Sequence, residues 1–223
     1  MNDRPILYDF PFSGNAYKVR LLLAQLGIPF ERRVVDILAG QALQPEFLLK
    51  NPMGQVPVLE LQDGTCLRES SSILLYLAED TALLPSDRWQ RMRVIEWLCF
   101  EQSNIDQVIS RARFRRTFPD AVPTRSEEFE GWHRQGYRAL DVLEQHLARH
   151  AFLVTGRYTI ADLAVYAYTH KAEEGGFALH RYSALQRWFQ RVEATPGYIA
   201  MDAASSLQSA PARQRGSARE RQS

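Results

Sequence analysis

Glu69 and Ser70 stand at the head of a helical apolar pattern, Ile73, Leu74, Leu77 and Ala78. Ser70 is a good N-cap for such a helix. The first N–H groups of a helix have no intrahelical partner and point outward, so a ligand carboxylate can sit there. The Glu69 carboxylate can hold an ammonium. A place for a carboxylate beside a place for an ammonium recognises an amino acid head group. Just upstream, Gln55-Val56-Pro57 leads into the alternating run Val58-Leu59-Glu60-Leu61. Proline cannot donate to a strand ladder, so it belongs at a strand's first residue, an edge or a bulge. Residues 51–80 therefore read as a backbone cradle for a small peptide-like ligand. X-Pro bonds are mostly trans, so composition alone does not call for a cis Val56-Pro57 bond.

Other reactive groups carry two readings each. Ser13 closes the turn Phe10-Pro11-Phe12-Ser13-Gly14-Asn15. Taken alone, it is a cap or turn residue. Arg111 and Arg115 lie one helical turn apart, as an anion-attracting pair or as a solvated basic face. His146 and His150 have the i, i+4 spacing of a metal pair, but no HExxH motif or third ligand accompanies them, so no metal is expected.

The elements that must position these groups come in a regular order. Pro5 to Asp9 reads as a short strand. A helix from about Asn15 to Leu26 follows, stopped by Gly27. Phe30 to Asp36 is a second strand, and Leu38 to Leu49 a looser segment with a short helix after Pro45. The strand from Val58 turns at Asp63-Gly64, a strong hairpin signal, and returns from about Thr65 to Arg68. The result is β-α-β-α-β-β-α, a small mixed sheet with helices on both faces. The DTALLPSDR segment has turn character. It divides the chain into a first domain, 1–80, a linker, 81–88, and an all-helical domain, 89–203. Helices are expected over 89–114, 125–150, 158–171 and 182–194 from apolar positions at helical period. Trp89, Trp97, Trp132 and Trp188 are expected in core or interface, and Cys99 in buried packing. Thr159 and Asp162 form an acidic capping box, with Tyr158 and Leu163 where a hydrophobic staple belongs.

Composition sets outer bounds. The chain has 223 residues, 45% hydrophobic and 24% charged, with a net charge of +1. These are the values of an ordinary globular protein. The last 17 residues carry four Arg against one Glu, which leaves 23 basic and 25 acidic residues elsewhere. The body is therefore not basic, which argues against nucleic acid as its partner. Residues 204–223 are low in complexity and are expected to be a disordered basic tail. Cys66 and Cys99 make neither a framework nor a C-x-x-C motif. No apolar run approaches the length of a membrane span, and no secretory signal is apparent, so a cytoplasmic location is expected.

Four matches in order, Ser13, Gln55-Val56-Pro57, Glu69-Ser70 and Thr159-Ile160-Ala161-Asp162, resemble the cytosolic glutathione transferases over about residues 4–200. The resemblance implies an α/β plus all-α fold, with a thioredoxin-like βαβαββα domain before an all-helical one. It also implies a cis proline at Pro57 and a homodimer. Glutathione is the implied co-substrate. The backbone at Val56 would pair with its cysteinyl part, and Glu69 and Ser70 would hold its γ-glutamyl end. Gln55 would reach the glycyl end. Some relatives place Lys or His where this chain has Gly54, and Lys50 is the substitute.

The implied chemistry is activation of a thiol. A free thiol has a pKa of about 8.5 and is mostly protonated near neutrality. Stabilising its anion requires about 1.36 kcal/mol per unit of pKa. Ser13 would donate a hydrogen bond to sulfur, aided by the nearby helix N-terminus. Asn15 would donate its amide as well. Some bacterial relatives pair Thr with Asn at these two positions and reduce disulfides with glutathione. Ser13 and Ala16 set the chain apart from cysteine-type members. Ser13-Gly14-Asn15 stands where zeta-type isomerases have Ser-Ser-Cys. Tyr8, on the first strand, is the tyrosine a tyrosine-type member would need in the cleft. The second substrate would lie among Phe10, Phe12, Arg111, Phe114 and Arg115, with Glu101 and Asn104 as weaker candidates. The function expected is conjugation of glutathione to small electrophiles. The alternatives are glutathione-dependent disulfide or peroxide reduction, and a non-enzymatic scaffold of the same fold.

Overall fold

The computed structural model describes residues 4–121, 123–154 and 156–201. The tail expected from residue 204 lies outside them. The first part contains β1 (Ile6–Asp9), α1 (Gly14–Gln25), β2 (Glu31–Val34), a 3-10 turn at Gln41–Leu43, α2 (Pro45–Leu48), β3 (Val58–Glu60), β4 (Cys66–Leu67) and α3 (Ser70–Ala78). The strands lie in the order β2-β1-β3-β4. β1 runs parallel to β2, while β3 is antiparallel to both β1 and β4. The mixed sheet of the sequence reading is therefore present, with shorter strands.

Alternation along β1 places helices on both faces of this sheet. Leu7 packs with Val19 and Leu23 of α1, Leu59 of β3 and Ile73 of α3. Ile6 and Tyr8 point the other way, into a smaller cluster with Phe47 of α2, Val35 and Val58. The other side of α1 does not meet water. Tyr17, Leu21 and Leu22 join the large core of the helical half. Thus α1 is clamped between the sheet and the helix Ile160–Thr169 of the helical half.

The helical half consists of α4 (Arg88–Phe100), a π-helical stretch at Glu101–Ser110, α5 (Arg111–Thr117), α6 (Ser126–Leu147), α7 (Ile160–Thr169) and α8 (Ser183–Glu193). The single helix expected over 89–114 is thus a longer run with a wide-turn segment in its middle. The DTALLPSDR segment is more than a tether. Leu84 is buried in the core, the Leu83 carbonyl accepts the Ile160 N–H at 3.0 Å, and Asp87 caps α4.

The capping box at α7 is complete. Thr159 Oγ1 accepts the Ala161 N–H, and Asp162 accepts from both the Thr159 N–H and its hydroxyl. Leu163 is in the large core and Tyr158 packs against it. Asp162 also accepts the Leu153 N–H at 2.9 Å and the Trp188 indole N–H at 3.0 Å. One expectation is corrected. Cys99 is exposed, because it lies on the outer face of α4. Trp89 is 72% exposed at the start of the same helix, whereas Trp97 and Trp188 are buried. Among the described residues, no helix is long and apolar enough to cross a membrane.

Candidate functional site

The loop between β1 and α1 is held from three sides. At the end of β1, the buried Asp9 carboxylate binds the Arg20 guanidinium at 2.5 Å and also the Arg32 guanidinium. Burial lowers the pKa of Arg20, and the adjacent Asp9 charge opposes that shift. Within the loop, the Ser13 N–H reaches the Phe10 carbonyl at 2.8 Å. From the helical half, Arg113 donates to the Phe12 carbonyl at 2.7 Å and to Glu174 at 2.6 Å. Ser13 is the N-cap of α1, which begins one residue earlier than expected; its Oγ accepts the Ala16 N–H at 3.1 Å. A hydroxyl that accepts in this way still has its own proton to donate. The cap reading and the thiol-donor reading of Ser13 are therefore compatible.

The start of α3 departs from expectation. Its N-cap is Glu69, and Ser70 is the first helical residue. Glu69 adopts φ 63°, a left-handed value that non-glycine residues seldom adopt. Such strain costs about 1–3 kcal/mol and clusters at functional sites. The Glu69 side chain makes no capping hydrogen bond, so its carboxylate is not spent on the helix. Ser70 is buried, and its hydroxyl donates to Asn15 Oδ1 at 3.2 Å. Val56-Pro57 is cis, as the resemblance implied. Val56 lies just outside the ladder, whose β1–β3 pairing starts at Val58. Asn51, which sequence reasoning did not single out, shapes this loop by donating to the Gln55 carbonyl at 2.8 Å and accepting the Met53 N–H.

These groups line one cleft of about 720 Å³ between the two halves. Ser13, Asn15, Gln55, Val56, Pro57, Glu69 and Ser70 come from the sheet half. Phe10, Phe12, Arg111, Phe114 and Arg115 also border it, as does Trp132. Phe10, Phe12 and Phe114 each pack against Phe118, with ring centroids 6.1, 5.2 and 5.2 Å away. The helical wall is more polar than this aromatic cluster suggests, since Gln102, Asp106, Gln107 and Ser110 of the π-helical stretch face the cleft.

Three candidates lie elsewhere. Lys50 is not among the lining residues. Its ammonium is drawn to Glu60 at 2.7 Å and lies over the Tyr8 ring, which raises its pKa and lowers that of Glu60. Asn104 lines a separate hollow between the π-helical stretch and α6. Glu101 is fully buried against Lys18. Tyr8 is buried too, and donates its hydroxyl to Glu60 at 2.7 Å. Among the described residues, no group of three or more His, Cys, Asp or Glu side chains is gathered as a metal set. His146 and His150 stack on each other 4.3 Å apart.

Sequence reasoning missed Lys18, Arg113 and Tyr168. Tyr168 lines the cleft and its hydroxyl accepts the Asn15 N–H at 3.2 Å. Gly14 is required by that ring, because a Cβ there would stand 2.4 Å from it.

This architecture and this site define a class. Residues 7–85 match the glutathione S-transferase N-terminal domain, and residues 105–196 match the glutathione S-transferase C-terminal domain. The chain belongs to the glutathione S-transferase family. It is similar to a solved glutathione S-transferase from Pseudomonas fluorescens Pf-5, with 47% identity and a TM-score of 0.86 over 88% of this chain and 98% of that one. It is 31% identical to maleylacetoacetate isomerase of Rhizobium meliloti strain 1021, covering 91% of each. It is 27% identical to the disulfide-bond oxidoreductase YfcG of Escherichia coli K12, over 85% of this chain and 90% of that protein.

Proposed function

We propose that this chain is a glutathione transferase, activating the glutathione thiol for attack on a small electrophile. Glutathione lies along the sheet-side wall. Its γ-glutamyl ammonium meets Glu69, its γ-glutamyl carboxylate the start of α3 at Ser70, and its cysteinyl backbone Val56. Gln55 reaches toward the glycyl end. The sulfur then lies near Ser13 and Asn15, which donate hydrogen bonds to the thiolate. The thiolate attacks the electrophilic carbon, the C–S bond forms, and the leaving group departs with its electron pair. The proton lost by the thiol goes to solvent. One observation carries this reading: the Ser13 hydroxyl, which accepts the Ala16 N–H and keeps its own proton to donate, lines the same cleft as Glu69, Ser70 and Val56. The same proposal includes the family's usual homodimer and a cytoplasmic location.

A second reading is favoured by the polar helical wall and by Asn15. Here the thiolate attacks a disulfide. One sulfur leaves as a thiolate, and a second glutathione thiolate resolves the mixed disulfide, giving oxidised glutathione and the second reduced thiol. Similarity to a disulfide-bond oxidoreductase supports it. Isomerisation is less favoured, since Asn15 stands where the zeta-type pattern has cysteine. A side-by-side assay with a chlorinated aromatic and hydroxyethyl disulfide separates the first two readings. Conjugation with little reduction supports the transferase, and the reverse result overturns it in favour of the reductase. No retention on immobilised glutathione would overturn both and leave a scaffold.

A further inference from the structure

The Asn15 amide presents one acceptor and two donor hydrogens. Which edge faces the cleft depends on what holds the oxygen. Lys18, one turn further along α1, is fully buried, and its ammonium lies 2.7 Å from Asn15 Oδ1. An ammonium only donates, so the atom facing it must be the amide oxygen. The Ser70 hydroxyl donates to that same oxygen at 3.2 Å. With its oxygen bound twice, Asn15 turns its Nδ2 the other way. That nitrogen meets Asp106 at 3.5 Å, the outer limit of a hydrogen bond. Lys18 is fixed in turn by Glu101 Oε2 at 2.8 Å, with both side chains fully buried. Glu101 begins the π-helical stretch, and the neighbouring Gln102 donates to its Oε2 at 2.9 Å. Neither Lys18 nor Glu101 lines the cleft.

We propose that the buried Lys18–Glu101 pair is a positioning device for the thiol site, holding the Asn15 amide with its donor edge toward the sulfur. The inference rests on the reading of Asn15 as a sulfur donor. Lys18 touches no bound substrate; it acts chiefly through Asn15 at 2.7 Å, with a longer contact at 3.4 Å to the Ser70 hydroxyl that holds the same amide oxygen. Without the ammonium, only the longer Ser70 bond at 3.2 Å holds the oxygen, and the amide can turn that oxygen toward the thiolate, where an acceptor repels the anion.

The test titrates the thiolate absorbance of enzyme-bound glutathione in four proteins. They are the wild type, Asn15→Ala, the pair variant Lys18→Met/Glu101→Gln, and the triple variant. Both partners are replaced together because removing one leaves an uncompensated buried charge. The pair variant is expected to raise the bound thiol's pKa by about one unit and to lower kcat about tenfold. Glutathione affinity is expected to change by less than about threefold, and the triple variant to match Asn15→Ala alone, the non-additivity of residues acting as a unit. An unchanged pKa in the pair variant, or an equal further rise in the Asn15→Ala background, overturns the inference. If Asn15→Ala itself leaves the pKa unchanged, the sulfur-donor reading falls and takes the inference with it. If Asn15→Ala raises the pKa and the pair variant does not, only the inference falls. A crystal structure of the wild-type glutathione complex tests the same orientation without any substitution. Nδ2 of Asn15 against the sulfur supports it, and Oδ1 against the sulfur overturns it.

Discussion

The Tyr168 hydroxyl, from α7 in the helical half, accepts the backbone N–H of Asn15 in the first turn of α1 at 3.2 Å. Its ring covers Gly14 so closely that no side chain fits there. The end of α1 that carries the proposed thiol site is thus seated by a residue 153 positions away.

Gly14→Ala should therefore destabilise the fold by overpacking, at a cost of about 1–3 kcal/mol. The ring it meets is 5% exposed and is held in place by the bond from the Asn15 N–H to its hydroxyl. Urea denaturation measures the loss. Truncating the ring in a Gly14→Ala/Tyr168→Ala variant should remove the clash. The two substitutions together should then cost less than the sum of their separate costs. Simple additivity would contradict the contact.

Glu69 combines an unspent carboxylate with a left-handed backbone. Charged hydrogen bonds contribute about 1.5–3 kcal/mol. Glu69→Ala should weaken glutathione binding by about 10- to 100-fold, with kcat at saturation nearly unchanged. Glu69→Gly should bind as weakly, yet be about 1 kcal/mol more stable than Glu69→Ala, because glycine relieves the positive φ. Calorimetric titration and thermal melts read the two effects separately. Equal stability of the two variants would show that the backbone there carries no strain.

Asp162 gives a pH signature. Complete burial pushes its carboxyl from the ordinary 3.8 up to about 6, against the opposing effect of the Leu153, Trp188 and Thr159 donors. The folded chain therefore holds this proton more tightly than the unfolded chain does. The stability this confers is fully present below the unfolded pKa, near 4, and is lost as pH rises through about 6. A shift of about two units corresponds to about 3 kcal/mol. Urea midpoints should fall across that window in the wild type. Asp162→Asn, which cannot ionise, should lack this part of the slope. An identical pH slope in both proteins contradicts the shift.

The parts of the site that were legible in the sequence are those whose signal is local. Gln55-Val56-Pro57 and Glu69-Ser70 are short patterns next to a strand and a helix, and Ser13 sits in a recognisable turn. The capping box at Thr159 and Asp162 spans only four positions. Other residues depend on partners far along the chain. Lys18 reads in sequence as one polar residue of a helix, and only Glu101 makes it a buried charge. Arg113 acquires meaning through the Phe12 carbonyl and Glu174. Lys50 reads in sequence as a cation available to a ligand, because its attraction to Glu60 of β3 is not visible there. Capping preference favours Ser70 over Glu69, since such preferences do not encode the positive φ that Glu69 adopts. The π-helical stretch is not legible in the sequence, because Ile105, Val108 and Ile109 fit an ordinary helical period equally well.

The account turns on whether Ser13 donates its free proton to the glutathione sulfur. The most direct measurement is the thiolate absorbance of enzyme-bound glutathione, followed against pH in the wild type and in Ser13→Ala. The variant also loses the helix cap, which should lower stability by about 1 kcal/mol and leave the fold intact. The account predicts that the wild-type thiol titrates well below its free value of about 8.5. In Ser13→Ala it should move up by about one to two units, while glutathione affinity stays within about threefold. A bound thiol that titrates at the same pH in both proteins would contradict the assignment of Ser13.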